Sequence, residues 1–183
     1  MKYIQYFILL LCSLAFYNCN DSHIRVACIG DSITYGHGIK DRAKTYPAVL
    51  GQLLGEQYNV RNFGVNFATN LRKGDSPYIN QQAYKDAINF NPDIVIIKLG
   101  TNDSKAYIWD KYKDDFDRDL AALIEILQSL PAQPKVYLCL PAKCHTTDSS
   151  IQDEVIRTEI TPLIKEVANK FDCEIIDIYD ATS

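Results

Sequence analysis

Short apolar runs recur along the chain and are separated by stretches with a helical spacing of apolar residues. One run, Ile94 to Ile97, is continuously apolar rather than alternating, which is typical of a parallel strand that is covered on both faces. The runs that predict strands are Ile24 to Ile29, Asn59 to Phe63, Ile94 to Leu99, Val136 to Leu140 and Glu174 to Ile178.

Helical periodicity fills the intervals between these runs. The predicted helices begin at Thr45, cover Tyr78 to Asn89, run from Phe116 to Leu130 before Pro131, and cover Ile151 to Phe171. Pro162 lies inside the last of them, so we expect a break there, with Thr161 capping a second piece.

The alternation of strand and helix predicts an α/β fold. We expect a three-layer α/β/α sandwich around a five-stranded parallel sheet, with the flavodoxin-like strand order 2-1-3-4-5. In such sheets a site lies beyond the carboxyl ends of the strands. The loops after Ile29, Phe63, Leu99 and Leu140 should therefore converge.

The amino-terminal residues are expected to lie outside this fold. A basic start is followed by an apolar run from Tyr6 to Tyr17, which is shorter than the roughly 20 residues of a membrane span and suits a secretory signal. Cys19, followed by polar residues, resembles the lipidated cysteine of a bacterial lipoprotein. We predict a signal peptide over 1–18, one domain over 19–183, and export to the periplasm or cell envelope. Lipidation of Cys19 and simple export both stay open.

The composition restricts the kinds of binding partner that we expect. The chain has 183 residues, 47% of them hydrophobic and 23% charged, with a net charge of −4. It has no lysine- or arginine-rich stripe, so we do not expect nucleic acid as a partner. No cysteine spacing matches a zinc site, and we expect neither a metal nor a cofactor. We interpret Cys28, Cys139 and Cys173, which lie in or beside apolar runs, as buried small hydrophobes.

The first candidate for chemistry is Gly30-Asp31-Ser32, directly after the first predicted strand. A serine that opens a turn into a helix is exposed, and the amides there can stabilise a developing anion, which favours a nucleophile. The alternative is a serine that only caps the helix. Gly74-Asp75-Ser76 repeats the tripeptide, but it follows no apolar strand and precedes Pro77, so we interpret it as a turn.

The second candidate is Gly100-Thr101-Asn102-Asp103, after the third predicted strand. The side-chain amide of Asn102 could donate to an oxyanion, or Asn102 or Asp103 could cap its own turn. Because the strands before the two candidate loops are predicted neighbours, finding both loops favours the catalytic interpretation of Ser32 and Asn102.

Three segments together resemble the first three sequence blocks of SGNH (GDSL-type) hydrolases. They are Gly-Asp-Ser-Ile-Thr from Gly30, Asn-Phe-Gly-Val from Asn62 and Gly-Thr-Asn-Asp from Gly100, in the family's order and at suitable spacing. The resemblance extends from the first strand to the end of the chain. Within the superfamily, Asn62 to Tyr78 and Pro92 to Ser104 resemble bacterial carbohydrate O-acyl esterases of the sialate O-acetylesterase or acetylxylan esterase kind.

The resemblance implies a role for each block. Ser32 is the nucleophile, and the oxyanion hole uses the Ser32 amide, a backbone amide of the second block and the Asn102 side chain. The second-block glycine of the family falls on Phe67 in this chain, and Gly64 is the remaining glycine of that segment. Phenylalanine tolerates positive φ poorly, which leaves the geometry of that backbone donor open.

The resemblance also implies an Asp-x-x-His block after the fifth strand, with the histidine as general base. This chain ends with 180–183, Asp-Ala-Thr-Ser, directly after that strand, so we expect the catalytic histidine, its aspartate and the last helix to be missing. A fragment is one explanation and a natural pseudoenzyme is another. His23 precedes the first strand, at the wrong edge of the sheet, and His37, five residues after Ser32, is expected to face solvent. His145 follows the fourth strand at the correct edge, where it could act as a substitute base.

The residues and the resemblance together predict an exported carboxylic ester hydrolase. It would remove O-acyl groups, chiefly acetyl, from carbohydrate through a Ser32 acyl-enzyme, with an acylated glycan or another small ester as substrate. Membrane contact is expected only through a lipid on Cys19. A lysophospholipase or thioesterase of the same superfamily is an alternative, and so is a catalytically dead carbohydrate-binding surface lipoprotein.

Overall fold

The computed structural model describes residues 23–145 and 150–182. The predicted signal peptide and the predicted lipidation site at Cys19 lie outside these residues. Among the residues described, no helix is both long enough and apolar enough to cross a membrane.

Five parallel strands form one sheet in the order β2-β1-β3-β4-β5, which confirms the predicted α/β class and strand order. The strands are β1 Ile24–Gly30, β2 Tyr58–Gly64, β3 Ile94–Lys98, β4 Lys135–Cys139 and β5 Glu174–Ile176. Gly30 of β1 lies opposite Gly64 of β2 and opposite Lys98 of β3. The carboxyl ends of these three strands are therefore level, and the loops that follow them start from the same edge of the sheet.

Helices follow the strands along the chain. They are α1 Ser32–Tyr35, α2 Tyr46–Leu54, α3 Gln82–Phe90, α4 Ala106–Tyr112, α5 Phe116–Gln128, α6 Asp153–Val155, α7 Thr161–Lys170 and α8 Ile178–Ala181. Helix α4 has no counterpart among the predicted helices, because its buried side chains, Ile108 and Trp109, are adjacent and display no helical period. Strand β5 ends earlier than predicted, since Asp177 caps α8 by accepting from the Asp180 amide.

The predicted break at Pro162 is wrong. The chain passes from α6 through a π-helical turn, Ile156–Ile160, directly into α7. Proline has no amide hydrogen and its ring crowds the preceding turn, and the wider π turn accommodates both effects. Thr161 does not cap a second helix, because it is itself helical (φ −58°, ψ −47°) and its amide donates to the Ile156 carbonyl.

The main core lies on one face of the sheet. It joins alternate strand residues to helices α3, α5 and α7 through Ala27, Ile29, Val95, Ile97, Val136, Leu138, Ala87, Leu123 and Ile164, among others.

The opposite face is covered less evenly. Cys28 and Cys139 are buried there, as predicted, whereas Cys173 is only partly buried. Burial raises the pKa of both Cys28 and Cys139 to about 12, so these thiols are inert. Helix α2 packs over β2, and Ile94 and Ile96 of β3 are only half-buried. The expected cover on both faces of β3 is therefore incomplete in the described residues.

Candidate active site

Ser32 is the first residue of the short helix α1, immediately beyond β1. The helix is capped by Asp31, whose Oδ1 accepts from the Ile33 amide at 2.9 Å, so capping is not the role of Ser32. Ser32 is partly exposed, and among the described residues its hydroxyl has no hydrogen-bond partner. The hydroxyl is therefore free to meet a ligand.

The second-block loop packs directly against this turn. The Val65 amide donates to the Gly30 carbonyl at 2.9 Å, and the Asn62 side chain donates to the Thr34 carbonyl at 2.7 Å. A side-chain carbon at Gly64 would lie 2.1 Å from the Tyr35 nitrogen. Glycine is required at Gly64 because the two backbones touch there.

A buried ion pair joins the first and third loops. The Lys98 ammonium, at the end of β3, donates to Asp31 Oδ2 at 3.0 Å and to Thr101 Oγ1 at 2.8 Å, and the Lys98 and Asp31 side chains are both 0% exposed. Asp31 precedes Ser32, and Thr101 precedes Asn102. The pair therefore links the two loops that carry the candidate catalytic residues and that follow the neighbouring strands β1 and β3.

Asn102 is 5% exposed, and its Nδ2 donates to the Ala68 carbonyl at 3.0 Å. The side-chain amide thus faces the second-block loop, next to Phe67. A primary amide carries two N–H groups, so one remains for a ligand after the bond to Ala68.

Asp103 also binds the second-block loop, through its carboxylate. Its carboxylate is 0% exposed and accepts from the Leu71 amide at 2.8 Å and the Asn70 amide at 3.1 Å. Burial raises the pKa of Asp103 to about 6, against the opposing effect of these amide bonds. Neighbouring residues of the third block therefore hold the second block at two points, Ala68 and the 70–71 pair.

The second copy of the tripeptide, Gly74-Asp75-Ser76, lies in the loop between the bridged residues Thr69 and Pro77. Ser76 Oγ accepts from the Gln81 side chain at 3.1 Å. Asp75 pairs with Lys105 at 3.7 Å. This segment is the loop that its sequence predicts.

The fold and these contacts can be compared with known proteins. Residues 28–183 match the GDSL-like Lipase/Acylhydrolase family. The chain belongs to this family. The resemblance to GDSL-type hydrolases seen in the sequence is thereby confirmed.

An acetylxylan esterase from Xylanibacter ruminicola is 46% identical to this chain over 174 residues, covering 85% of this chain and 36% of that protein. The chain spans about a third of the length of that relative.

Solved structures show the same fold at lower identity. The acetyl xylan esterase AlAXEase is 24% identical, with a TM-score of 0.69 over 87% of this chain and 79% of that chain. Est24, a carbohydrate acetylesterase from Sinorhizobium meliloti, is 21% identical, with a TM-score of 0.67 over 85% of this chain and 84% of that chain.

Phe67 is the residue at which the sequence resemblance implies a glycine. Its φ is +65°, in the left-handed region that glycine would adopt without strain. The loop therefore keeps the turned backbone with phenylalanine in place, at a cost of about 1–3 kcal/mol. The Phe67 side chain is 60% exposed and recovers little of that cost by packing.

Among the described residues, no histidine ring is hydrogen-bonded to the Ser32 hydroxyl. His23 is exposed at the amino end of β1, the wrong edge of the sheet. His37 is exposed, and its backbone amide donates to the Ser32 carbonyl. A His145 ring nitrogen lies 2.6 Å from the Thr182 carbonyl. In residues 23–145 and 150–182, no group of His, Cys, Asp or Glu is placed to hold a metal ion.

Three residues of the site escaped the sequence analysis. Lys98 looks like the end of an apolar strand, and its partner Asp31 is distant in sequence. Asp103 looked like a turn cap, although its adjacency to Asn102 was a usable signal. Asn66 lies in the second block, and its Oδ1 is buried without a partner among the described residues. No local sequence pattern predicts a buried polar atom without a partner.

Proposed function

We propose that this protein is a serine esterase that removes O-acyl groups, chiefly acetyl, from carbohydrate. The observation that carries the proposal is the Ser32 hydroxyl, which has no partner within residues 23–145 and 150–182 and lies at a turn that the Lys98 ion pair joins to the Asn102 loop. Similarity to a protein named acetylxylan esterase supports the choice of substrate class.

The chemistry is acyl transfer through Ser32. The Ser32 oxygen attacks the ester carbonyl carbon, its proton passes to a general base, and the carbonyl oxygen becomes an oxyanion. The oxyanion accepts from the Ser32 amide, from a backbone amide of the Gly64-to-Phe67 loop and from the second N–H of the Asn102 side chain. The bond from Asn102 to the Ala68 carbonyl and the bond from the Leu71 amide to Asp103 hold the second-block loop in place before the substrate arrives.

Collapse of the intermediate expels the sugar oxygen, which takes the proton from the base. Water then attacks the acetyl-Ser32 ester, gives a proton to the same base, and releases acetate with the Ser32 hydroxyl restored. The resemblance to the family implies that this base is the histidine of an Asp-x-x-His block. His145, bonded to Thr182, is the weaker candidate.

The surroundings of Phe67 favour a sugar over a lysophospholipid. A lysophospholipase needs an apolar mouth for an acyl chain, but the side chains next to Phe67 are Lys105 and, paired with it, Asp75. Charged groups beside an exposed aromatic ring suit a polyhydroxylated substrate.

Export completes the proposal. We infer that residues 1–18 direct secretion and that the mature chain begins at or near Cys19, with a lipid on that cysteine. Mass spectrometry of the membrane fraction tests this: a chain that retains Met1 in the cytoplasm contradicts export, and a soluble chain cut elsewhere contradicts only the lipid.

The test of function uses protein from the complete reading frame. We expect it to release acetate from acetylated xylan and to hydrolyse p-nitrophenyl acetate, with little activity on a long-chain lysophospholipid. Preference for the lysophospholipid would favour the alternative activity. Absence of hydrolysis on all three substrates would favour the catalytically dead surface protein.

A further inference from the structure

Two large aromatic side chains are exposed beside the candidate oxyanion loop. Phe67 is 60% exposed and Tyr107 is 58% exposed. Both contact one ion pair, formed by Asp75 and Lys105. We call the four residues Phe67, Asp75, Lys105 and Tyr107 the aromatic rim.

The contacts make the rim one continuous surface. The Lys105 ammonium lies 5.7 Å from the centroid of the Phe67 ring and 3.7 Å from Asp75 Oδ2. The Tyr107 hydroxyl donates to the same Asp75 oxygen. The Lys105 side chain is only 11% exposed and is therefore largely buried, whereas the Phe67 and Tyr107 side chains remain open to solvent.

The position of the rim follows from the catalytic loops. Phe67 precedes Ala68, whose carbonyl binds the Asn102 side chain at 3.0 Å. Lys105 follows the short 3₁₀ turn Asn102–Ser104. An ester whose carbonyl oxygen reached the Asn102 amide would therefore have its remaining groups next to the rim.

Packing does not explain Phe67. Its backbone is strained at φ +65°, and a side chain exposed to this extent contributes little to the core. Residues held in such conformations cluster at active sites and ligand clamps. A ring kept at a strained position beside the candidate nucleophile is better explained by what it binds.

We propose that the aromatic rim binds the pyranose ring that carries the ester, a proposal that rests on the function proposed above. The faces of aromatic rings are electronegative and attract the weakly positive C–H groups of a sugar face. Asp75, whose side chain is 47% exposed, accepts charge-assisted hydrogen bonds from sugar hydroxyls, and the largely buried Lys105 balances its charge. The charges of the pair cancel, so the rim suits a neutral sugar rather than an acidic one.

Binding can be measured apart from catalysis. We would titrate partially acetylated xylo-oligosaccharides by calorimetry into the Ser32→Ala protein, made from the complete reading frame, and into the same protein carrying Tyr107→Ala. Loss of the Tyr107 ring should weaken the Kd by about 5- to 10-fold. Tyr107→Phe keeps the ring and removes the bond to Asp75, so it should weaken the Kd by only about twofold.

Leu53→Ala, at a side chain that is 80% exposed on α2, is the matched control and should leave the Kd unchanged. Thermal unfolding of each variant establishes that it is folded. An equal Kd for Tyr107→Ala and the Leu53 control, or no binding to the Ser32→Ala protein, would overturn the proposal. Binding without any hydrolysis by the wild type would instead refute the enzymatic function and leave the rim as a sugar site.

Discussion

The chain carries the tripeptide Gly-Asp-Ser twice, and the structure treats the two copies in opposite ways. Asp31 of the first copy is 0% exposed and pairs at 3.0 Å with the fully buried Lys98. The Asp75 side chain is 47% exposed and pairs at 3.7 Å with Lys105. Each aspartate pairs with a lysine that lies within two residues of the third block, yet only the first pair is fully buried.

The serines differ as well. Ser32 follows a central strand and keeps its hydroxyl without a partner among the described residues. Ser76 lies in a loop and accepts a bond from Gln81. The tripeptide therefore has no chemistry of its own. A buried strand before it, and a neighbouring strand that delivers Lys98, make it a candidate nucleophile turn.

The largest expected difference between the copies is in catalysis. Ser32→Ala should lower the kcat for p-nitrophenyl acetate by roughly 10,000-fold or more, because loss of a nucleophile removes the covalent route. Ser76→Ala should stay within about twofold of the wild type, since it removes only a partly buried hydrogen bond to Gln81, in the loop between Thr69 and Pro77. Steady-state kinetics of the two variants, in protein from the complete reading frame, would measure both. Similar losses of kcat in the two variants would contradict the proposed difference between Ser32 and Ser76.

The ion pairs should differ next. Lys98→Met leaves the Asp31 carboxylate buried without its ammonium and should lower the free energy of unfolding by about 3–5 kcal/mol. Lys105→Met breaks a partly exposed pair and should cost less than about 1 kcal/mol. Urea unfolding measures both. Adding Asp31→Asn to Lys98→Met should recover part of the loss, because the unpaired charge is gone; a further loss would count against this explanation.

Asn102, in the loop after β3, gives a further test of the catalytic role assigned to the first copy. Asn102→Ala removes a proposed oxyanion donor and should lower kcat by about 100- to 1,000-fold with little change in KM. Asn89→Ala, at an exposed position on α3, is the control. An increase in KM alone would mean that Asn102 binds the substrate without stabilising the transition state.

The smallest expected effect is the pH dependence of stability that Asp103 causes. Like Asp31 of the first copy, Asp103 is fully buried. Its pKa is about 6 in the folded protein, against an ordinary value of 3.8. A raised carboxyl pKa stabilises the fold fully below the ordinary value, and this stabilisation is lost as the pH rises through the folded-state pKa. Relative to Asp103→Asn, the wild type should therefore lose about 1–3 kcal/mol of unfolding free energy between pH 4 and 6. Urea titrations at stepped pH would measure the difference, and a constant difference would contradict it.

The fold could be predicted because its signals are local. The continuous run at Ile94 to Ile97 and the helical repeat from Phe116 place a buried parallel strand and its covering helix, and the alternation of such units restricts the strand order. Helix α4 and the π turn before Pro162 were missed, since adjacent buried residues and a wider helical turn leave no period in the sequence.

The site was predictable only in part, because much of it consists of contacts between distant residues. Ser32 and Asn102 could be chosen from their places after strands. The bond from Lys98 to Asp31 spans 67 positions, and that from Asp103 to Leu71 spans 32. The positive φ of Phe67 contradicts the preference of its own side chain. This backbone conformation is therefore seen only in the folded loop and not in the sequence.

The central claim is that Ser32, and not its repeat at Ser76, forms the acyl-enzyme. Protein from the complete reading frame would be mixed with excess p-nitrophenyl acetate, quenched in acid during turnover, digested and mapped by mass spectrometry. We predict one added acetyl group on the peptide at Ser32, absent in Ser32→Ala and retained in Ser76→Ala. An acetyl group that persists in Ser32→Ala at undiminished turnover, on Ser76 or any other residue, would contradict the account.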